Sequence, residues 1–132
     1  MNAQKYTQKS LAAIQAAQEL TISRNNQQIE QVHLLSALLQ QDGGLVPQLL
    51  KRMGITVESL QAAVEQELDK LPRVTGSGRE AGKYYIARAV DDCLNRAEEI
   101  ADSMKDEFVS VEHLLLALIE TAESALKKIF TT

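Results

Sequence analysis

The stretch QVHLLSALLQ at residues 31–40 returns in altered form as VEHLLLALIE at residues 111–120. His33 and His113 occupy the same place in the two stretches, 80 positions apart, and this correspondence extends back without a gap to the start of each half. What repeats is mainly an apolar pattern with spacings of three and four, which is typical of amphipathic helices. The repeat therefore predicts a duplicated packed scaffold and favours a binding module over a catalytic site.

Helical patterns fill most of the remaining chain. Aromatic residues make up only 4% of the sequence, Trp is absent, and Ala, Leu, Gln and Glu are abundant, which favours helix over strand. No convincing alternation of period two predicts a strand. The predicted helices start after Thr7, near Gln31, at Leu45, after Thr56, near Ile86 (running to Met104), after Ser110 and at Ser124. We predict an all-α protein, a single helical bundle of two pseudo-repeated halves with about seven or eight helices.

The domain boundaries follow from the same repeat. We expect one domain over residues 1–132, with a first repeat at about 6–53 and a second at about 86–130. A polar, glycine-containing segment at about 72–82 predicts a flexible connector between them. Because the sequence stops soon after the last helix, we expect it to be a fragment of a longer chain.

Composition and charge exclude several classes of function. A net charge of −4 and a pI near 5.2 argue against a nucleic-acid-binding protein. No apolar run approaches the length of a membrane span, and the N-terminus lacks the apolar core of a signal peptide. The single cysteine, Cys93, excludes an internal disulfide and fits a reducing compartment, so we predict a cytoplasmic protein.

Motifs for catalysis or metal binding are incomplete. Gly82-Lys83 does not satisfy the phosphate-loop spacing, and no apolar strand precedes it. Neither histidine has a second ligand three or four residues later, so each is expected to bond a neighbouring backbone or cap group instead of a metal. A small enzyme that uses Cys93 or the acidic clusters remains an alternative, which requires a thiol that reacts at neutral pH. We predict no catalytic residue, no metal and no cofactor in this domain.

Four motifs together carry a family resemblance. They are KYT at residues 5–7, the doubled HLLxAL, LPRVTG at 71–76 and DEFVSVEHLLLAL at 106–118. The chain closely resembles the Clp N-terminal domain of AAA+ unfoldases, and within that family it is most similar to the ClpB disaggregase type. The resemblance spans nearly the whole chain, from about Lys5 to Phe130.

The resemblance implies a function as well as a fold. Such a domain is a mobile, non-catalytic module at the entrance of an ATP-driven ring, where it recognises unfolded or aggregated client polypeptides during stress. It implies a monomeric domain joined to AAA+ modules of its own chain, which form a hexamer and bind ATP and magnesium. An adaptor-docking or degron-binding domain of the ClpA or ClpC type is the alternative.

Site residues are carried over from the resemblance position by position. It implies a shallow apolar groove with Thr7, Asp106 and Glu112 as its polar edge, and with Leu94 and His113 in or near it. We therefore expect an exposed apolar patch near Leu94 and His113. Thr7 fits a helix cap equally well, and Glu112 fits a favourable charge in a first helical turn.

Two positions depart from the family pattern. Val32 precedes His33 where many relatives have Glu, and ClpC-type domains use acidic residues in both repeats to hold phosphoarginine, so Val32 argues against that function. Arg96 stands where some ClpB-like grooves carry an apolar residue. It either weakens the binding of purely apolar clients or points to solvent.

Overall fold

The computed structural model describes residues 2–41, 43–74 and 85–130, and their architecture is helical. A turn of 3-10 helix at Ala3–Lys5 precedes the first α-helix. In chain order the elements are α1 (Gln8–Ser23), β1 (Gln28–Ile29), α2 (Gln31–Leu39), α3 (Leu45–Arg52), α4 (Val57–Asp69), β2 (Tyr85–Ile86), α5 (Arg88–Ser103), α6 (Val111–Glu120) and α7 (Ser124–Phe130). The predicted all-α class and the number of helices are confirmed. Of the predicted connector at 72–82, residues 75–82 lie outside the described residues.

The start of α5 differs from the prediction. Ile86 was expected in the long helix, but it lies in β2, which pairs in parallel with β1, and the helix begins at Arg88. No strand was predicted here, because two-residue strands are too short to show an alternation of period two. Ile86 fits the apolar spacing of α5 in the sequence, but it belongs to the strand that precedes this helix.

The core is built around α2. All nine residues of this helix are buried, and it packs against α1, α4 and α6. α1 packs chiefly against α2, and α5 chiefly against α6. The repeated HLLxAL motif lies in α2 and α6, which we call the central helices of the two halves. The motif that decides the fold therefore forms its centre.

The two halves exchange equivalent contacts. The backbone N–H of Thr7 donates to the carbonyl of Val109 at 3.0 Å, and the N–H of Ala87 donates to the carbonyl of Ile29 at 3.0 Å. These two bonds are counterparts under the 80-residue correspondence. In each half, the segment before the first long helix therefore pairs with the other half, at the segment directly before that half's HLLxAL helix.

His33 holds the start of α2. The backbone N–H of Glu30 donates to its Nδ1 at 2.8 Å, which leaves the proton on Nε2 to donate to Oδ1 of Asn26 at 2.8 Å. The loop before the helix turns through Asn25, whose φ of 58° lies in the left-handed region where asparagine is tolerated. One ring thus joins a helix start to the loop that precedes it.

His113 does the same for α6. The backbone N–H of Ser110 donates to its Nδ1 at 2.9 Å, and its Nε2 lies 2.8 Å from Oδ2 of Asp106. Lys105 has a φ of 60° at the position equivalent to Asn25. The expectation that both histidines bond backbone groups at helix starts is confirmed.

Candidate functional site, an apolar groove between the two halves

An apolar groove of about 130 Å³ lies between α1 and α5. Its lining residues are Ile14, Ala17, Gln18, Ile29, Leu34, Ile86, Val90, Asp91 and Leu94. Seven of these side chains are apolar, and Gln18 and Asp91 supply the only polar lining. A concave apolar surface with a few polar groups is the usual form of a small binding site.

The groove exists because α1 and α5 pack mainly on their own partner helices. Ile14 and Leu94, which match each other under the 80-residue correspondence, both line it, so it lies where the two halves face each other. Ile86 is 52% exposed and is the most exposed of the apolar side chains that line the groove, while Ile14 is half-buried. Covering Ile86 with an apolar group of a partner gains about 25 cal/mol per Å² removed from water.

Leu94 lies in the groove, but it is not the exposed residue that the sequence predicted. Its side chain is only 5% exposed, since α5 turns it towards the core. A charge at Leu94 therefore tests the stability of the fold as much as binding, and Ile86 is the better probe. The match of Ile14 with Leu94 in the repeat was the sequence feature that could have indicated the two sides of the groove. Ile86 was missed because the sequence pattern assigned it to a helix.

The predicted polar edge lies at a different junction, around the start of α6. Thr7 caps α1, with its Oγ1 accepting the Ser10 N–H at 3.2 Å, and its own N–H reaches Val109. The helix-cap interpretation of Thr7 is thereby confirmed. Asp106 is exposed and accepts from His113, and Glu112 is exposed in the first turn of α6.

The predicted site residues therefore divide into two places. Thr7, Asp106, Glu112 and His113 lie around the start of α6, and none of them lines the groove that contains Leu94. His113 is only 5% exposed and both of its ring nitrogens have partners, so its own side chain is not part of an exposed surface. Phe108 and Leu116 are exposed on either side of it in the sequence, and the apolar patch expected near Leu94 and His113 stays a prediction. The physical role of His113 in the described structure is to hold the loop to the helix start.

Arg96 does not line the groove. Its Nε donates to Oε2 of Glu120 at 2.5 Å, and the guanidinium lies 3.7 Å from Glu99. Glu120 connects Arg96 to the end of α6, whereas Glu99 lies one turn further along α5 itself. The Arg96 side chain is 42% exposed, which agrees with the interpretation that it points to solvent, and its effect on apolar clients stays a prediction.

Cys93 is fully buried and unsuited to nucleophilic catalysis. Burial raises the pKa of its thiol to about 12, with a small opposing effect from Thr121. Because the thiolate is the reactive form, the burial of Cys93 and its raised pKa argue against the hypothesis of a Cys93 enzyme. Within the described residues there is no group of three or more His, Cys, Asp or Glu side chains suited to a metal ion. No helix in those same ranges is long and apolar enough to cross a membrane.

With the fold and the groove described, comparison with known proteins becomes informative. Residues 5–132 match the model of the Clp repeat (R) N-terminal domain. The chain belongs to this family. It is 42% identical over 120 residues to the chaperone protein ClpB of Bacillus anthracis, an alignment that covers 91% of this chain and 14% of that protein. This Clp N-terminal domain therefore spans about one seventh of the relative's length, and it corresponds to a non-catalytic module of ClpB-type ATPases.

Solved structures of Clp-type N-terminal domains share the fold. The Hsp104 N-terminal domain from Candida albicans superimposes with a TM-score of 0.83 at 25% identity, covering 96% of this chain and 80% of that one. The ClpV N-domain, solved as a complex with a VipB peptide, has a TM-score of 0.74 at 19% identity, with 97% and 78% covered. The predicted resemblance to Clp N-terminal domains of the ClpB type is confirmed.

Proposed function

We propose that this Clp N-terminal domain is the substrate-recognition module of a ClpB-type protein disaggregase. It binds unfolded or aggregated polypeptides through the apolar groove between α1 and α5 and delivers them to the AAA+ ring. The observation that carries the proposal is the groove itself, an open apolar surface with Ile86 exposed in a domain whose relatives are ClpB chaperones. Unfolded chains expose the apolar side chains that such a surface binds.

The size of the groove indicates weak and general capture. About 130 Å³ holds one or two side chains, and burying one such side chain contributes about 2 kcal/mol. Binding of this strength releases a client readily, which suits a module that passes polypeptides onward. Many weak contacts along one client would raise its overall affinity.

Around the start of α6, exposed carboxylates supply a second type of contact. We propose that Asp106 and Glu112 hold backbone N–H or basic groups of a client that extends beyond the groove, with Thr7 and His113 fixing the loop that presents them. Apolar capture by Leu94 and Ile86 together with this polar edge would favour extended segments that mix apolar and basic residues.

The remaining parts of the function belong to the longer protein. We propose that this domain is joined to AAA+ modules of its own chain, that these form a hexamer, and that ATP and magnesium bind there. We propose no cofactor for this domain, a monomeric state when it is isolated, and a place in the cytoplasmic stress response. The support is its similarity to ClpB, of which it spans 14%.

The test is an NMR titration of the domain with an unfolded model polypeptide. Amide shifts are expected at Gln18, Ile86 and Leu94, with a Kd between micromolar and millimolar. Ile86→Ser is expected to weaken binding at least threefold without unfolding the domain, because the side chain is half exposed. Met53→Ser removes a similarly exposed apolar side chain directly after α3, outside the groove lining, and is the matched control. No shifts at any client concentration would contradict the proposal.

A dedicated partner peptide is the second candidate, as in an adaptor-docking domain of the ClpA or ClpC type. The observation that favours it is the related ClpV N-domain, which was solved with a bound VipB peptide. If unfolded polypeptides leave the spectrum unchanged while one defined sequence binds with micromolar affinity, the adaptor interpretation replaces client capture.

A further inference from the structure

The apolar groove has a filled counterpart in the other half of the molecule. The residue that matches Ile86, 80 positions earlier, is Tyr6, and its side chain is only 5% exposed. The Tyr6 hydroxyl donates to Oε2 of Glu98 on α5 at 2.7 Å. Glu98 in turn matches Gln18 on α1, and Gln18 lines the open groove.

The backbone around Tyr6 and the backbone around Ile86 are held in the same way, and only the side chains differ. The backbone next to Tyr6 is held by the bond from Thr7 to Val109, and the backbone next to Ile86 is held by the matching bond from Ala87. Both segments also pair in parallel with the segment before a central helix. Tyr6 therefore places a buried aromatic ring beside α5. At the matching position, the second half has Ile86, which is exposed and leaves the groove beside α1 open.

We propose that the groove binds a tyrosine side chain of an extended partner polypeptide. The ring would cover the apolar floor formed by Ile14, Val90 and Leu94, and the hydroxyl would reach Gln18 as that of Tyr6 reaches Glu98. The proposal rests on the proposed function and names the side chain that the groove selects.

The polar lining favours a phenol over other groups. The Gln18 amide oxygen accepts from a hydroxyl, and the Asp91 carboxylate, which also lines the groove, accepts as well. Phenylalanine fills the apolar space but leaves these acceptors unused, and an acidic side chain meets the charge of Asp91. We therefore expect affinity to fall in the order tyrosine, phenylalanine, leucine, alanine and glutamate.

The first experiment compares peptides that differ at one position. An extended, soluble host peptide without other aromatic residues carries Tyr, Phe, Leu, Ala or Glu at its centre, and its Kd is measured from amide shifts of the domain. We expect the Tyr peptide to bind at least fivefold more tightly than the Ala peptide and about twofold more tightly than the Phe peptide, with shifts at Gln18, Ile86 and Leu94. Equal affinity for Tyr and Ala peptides would overturn the proposal.

The second experiment fills the groove from within. Ile86→Tyr places a phenol at the position that matches Tyr6, and it is expected to weaken binding of the Tyr peptide at least tenfold while the Tm stays the same or rises. Met53→Tyr adds the same side chain at an exposed site directly after α3 and should leave the Kd unchanged. Unchanged binding by Ile86→Tyr would show that the peptide does not use the groove.

The polar end of the groove has a test of its own. Gln18→Glu copies the acceptor that Glu98 offers to Tyr6. It should raise the preference for the Tyr peptide over the Phe peptide about threefold, whereas Gln18→Leu should abolish that preference. If neither variant changes the ratio, the hydroxyl contact is wrong.

The outcomes separate this inference from the proposed function. If unfolded polypeptides bind and Ile86→Ser weakens them, but Tyr and Ala peptides bind equally, client capture stands and tyrosine selection fails. If the Tyr peptide binds in the groove and unfolded polypeptides do not bind at all, tyrosine recognition stands and general client capture fails.

Discussion

At the scale of single residues, the two histidines fix the starts of the helices that carry the repeated motif. Each accepts a backbone N–H three residues earlier and reaches back with Nε2 to a loop residue seven positions before it. The loop residue is Asn26 in one half and Asp106 in the other. The first half thus keeps a neutral, buried pair, and the second half presents an exposed carboxylate at the surface that we propose meets clients.

His33 predicts a dependence of stability on pH. Burial, followed by the positive charge of Arg24, lowers its pKa from 6.5 to about 4. The unfolded chain then binds a proton at higher pH than the folded one. The contribution is fully present above pH 6.5 and is lost as the pH falls towards 4, by on the order of 3 kcal/mol. Urea unfolding between pH 7 and pH 4 measures the loss.

Carboxylates also titrate in the acid part of this range, so the ring itself provides the decisive signal. The Cε1–H resonance of His33 should stay constant from pH 7 to pH 5.5 in the folded domain. A titration of that resonance with a midpoint near 6.5 would contradict the buried neutral ring.

Cys93 predicts resistance to alkylation. The thiol is fully buried and its pKa is raised to about 12, so at pH 7.5 the folded domain should react with iodoacetamide at least 100-fold more slowly than the unfolded chain. Met53→Cys supplies a second, exposed thiol in the same molecule as a control. Mass spectrometry should find one fast and one slow site, and a fast Cys93 would revive the enzyme hypothesis.

At the scale of elements, sequence patterns located the helices well and their contacts poorly. The starts of α1 and α6 follow from Thr7 and Ser110, because caps act locally. The strand pairing of Ile86 with Ile29 joins residues distant in sequence, and no local pattern reports it. The family resemblance placed Leu94 in or near a groove, but the burial of its side chain depends on packing between helices, which no local pattern reports either.

Gln31 is an element-scale contact that the sequence did not predict. Its buried amide Nε2 donates to the carbonyl of Thr121 at 3.0 Å, at the end of α6, and to that of Ala89 in α5 at 3.3 Å. Its Oε1 accepts the N–H of Glu123 at 3.0 Å, just before α7. One side chain at the start of α2 thus connects three helices of the second half.

Gln31→Ala is expected to lower the free energy of unfolding by about 2 kcal/mol, since it leaves buried backbone groups without partners. Urea denaturation at neutral pH is the measurement. Gln66→Ala on the exposed side of α4 is the matched control and should change the free energy by less than about 0.5 kcal/mol. An equal effect of the two substitutions would show that solvent replaces the Gln31 contacts at no cost.

At the scale of the whole molecule, the duplication explains both the symmetry and the groove. Equivalent backbone bonds, Thr7 to Val109 and Ala87 to Ile29, hold the halves together. The repeat was visible in the sequence, and the predicted bundle followed from it. The difference between the filled and the open place was not visible in the sequence, because it depends on which side chains come together across the two halves. Tyr6 bonds Glu98 at the filled place, whereas Ile86 and Gln18 line the open groove.

Mutual dependence of the two halves is the prediction at this scale. Fragments 2–74 and 85–130 are each expected to lack a cooperative thermal transition by circular dichroism. Each alone exposes the face of its central helix that packs on the other half, and a shorter chain buries a smaller fraction of its surface on folding. Mixed in equal amounts, they should regain helicity and a transition, because the exchanged bonds of Thr7 and Ala87 can form between fragments. A cooperative transition of fragment 2–74 alone would mean that the first half is an independent folding unit, to which the second half adds only the groove.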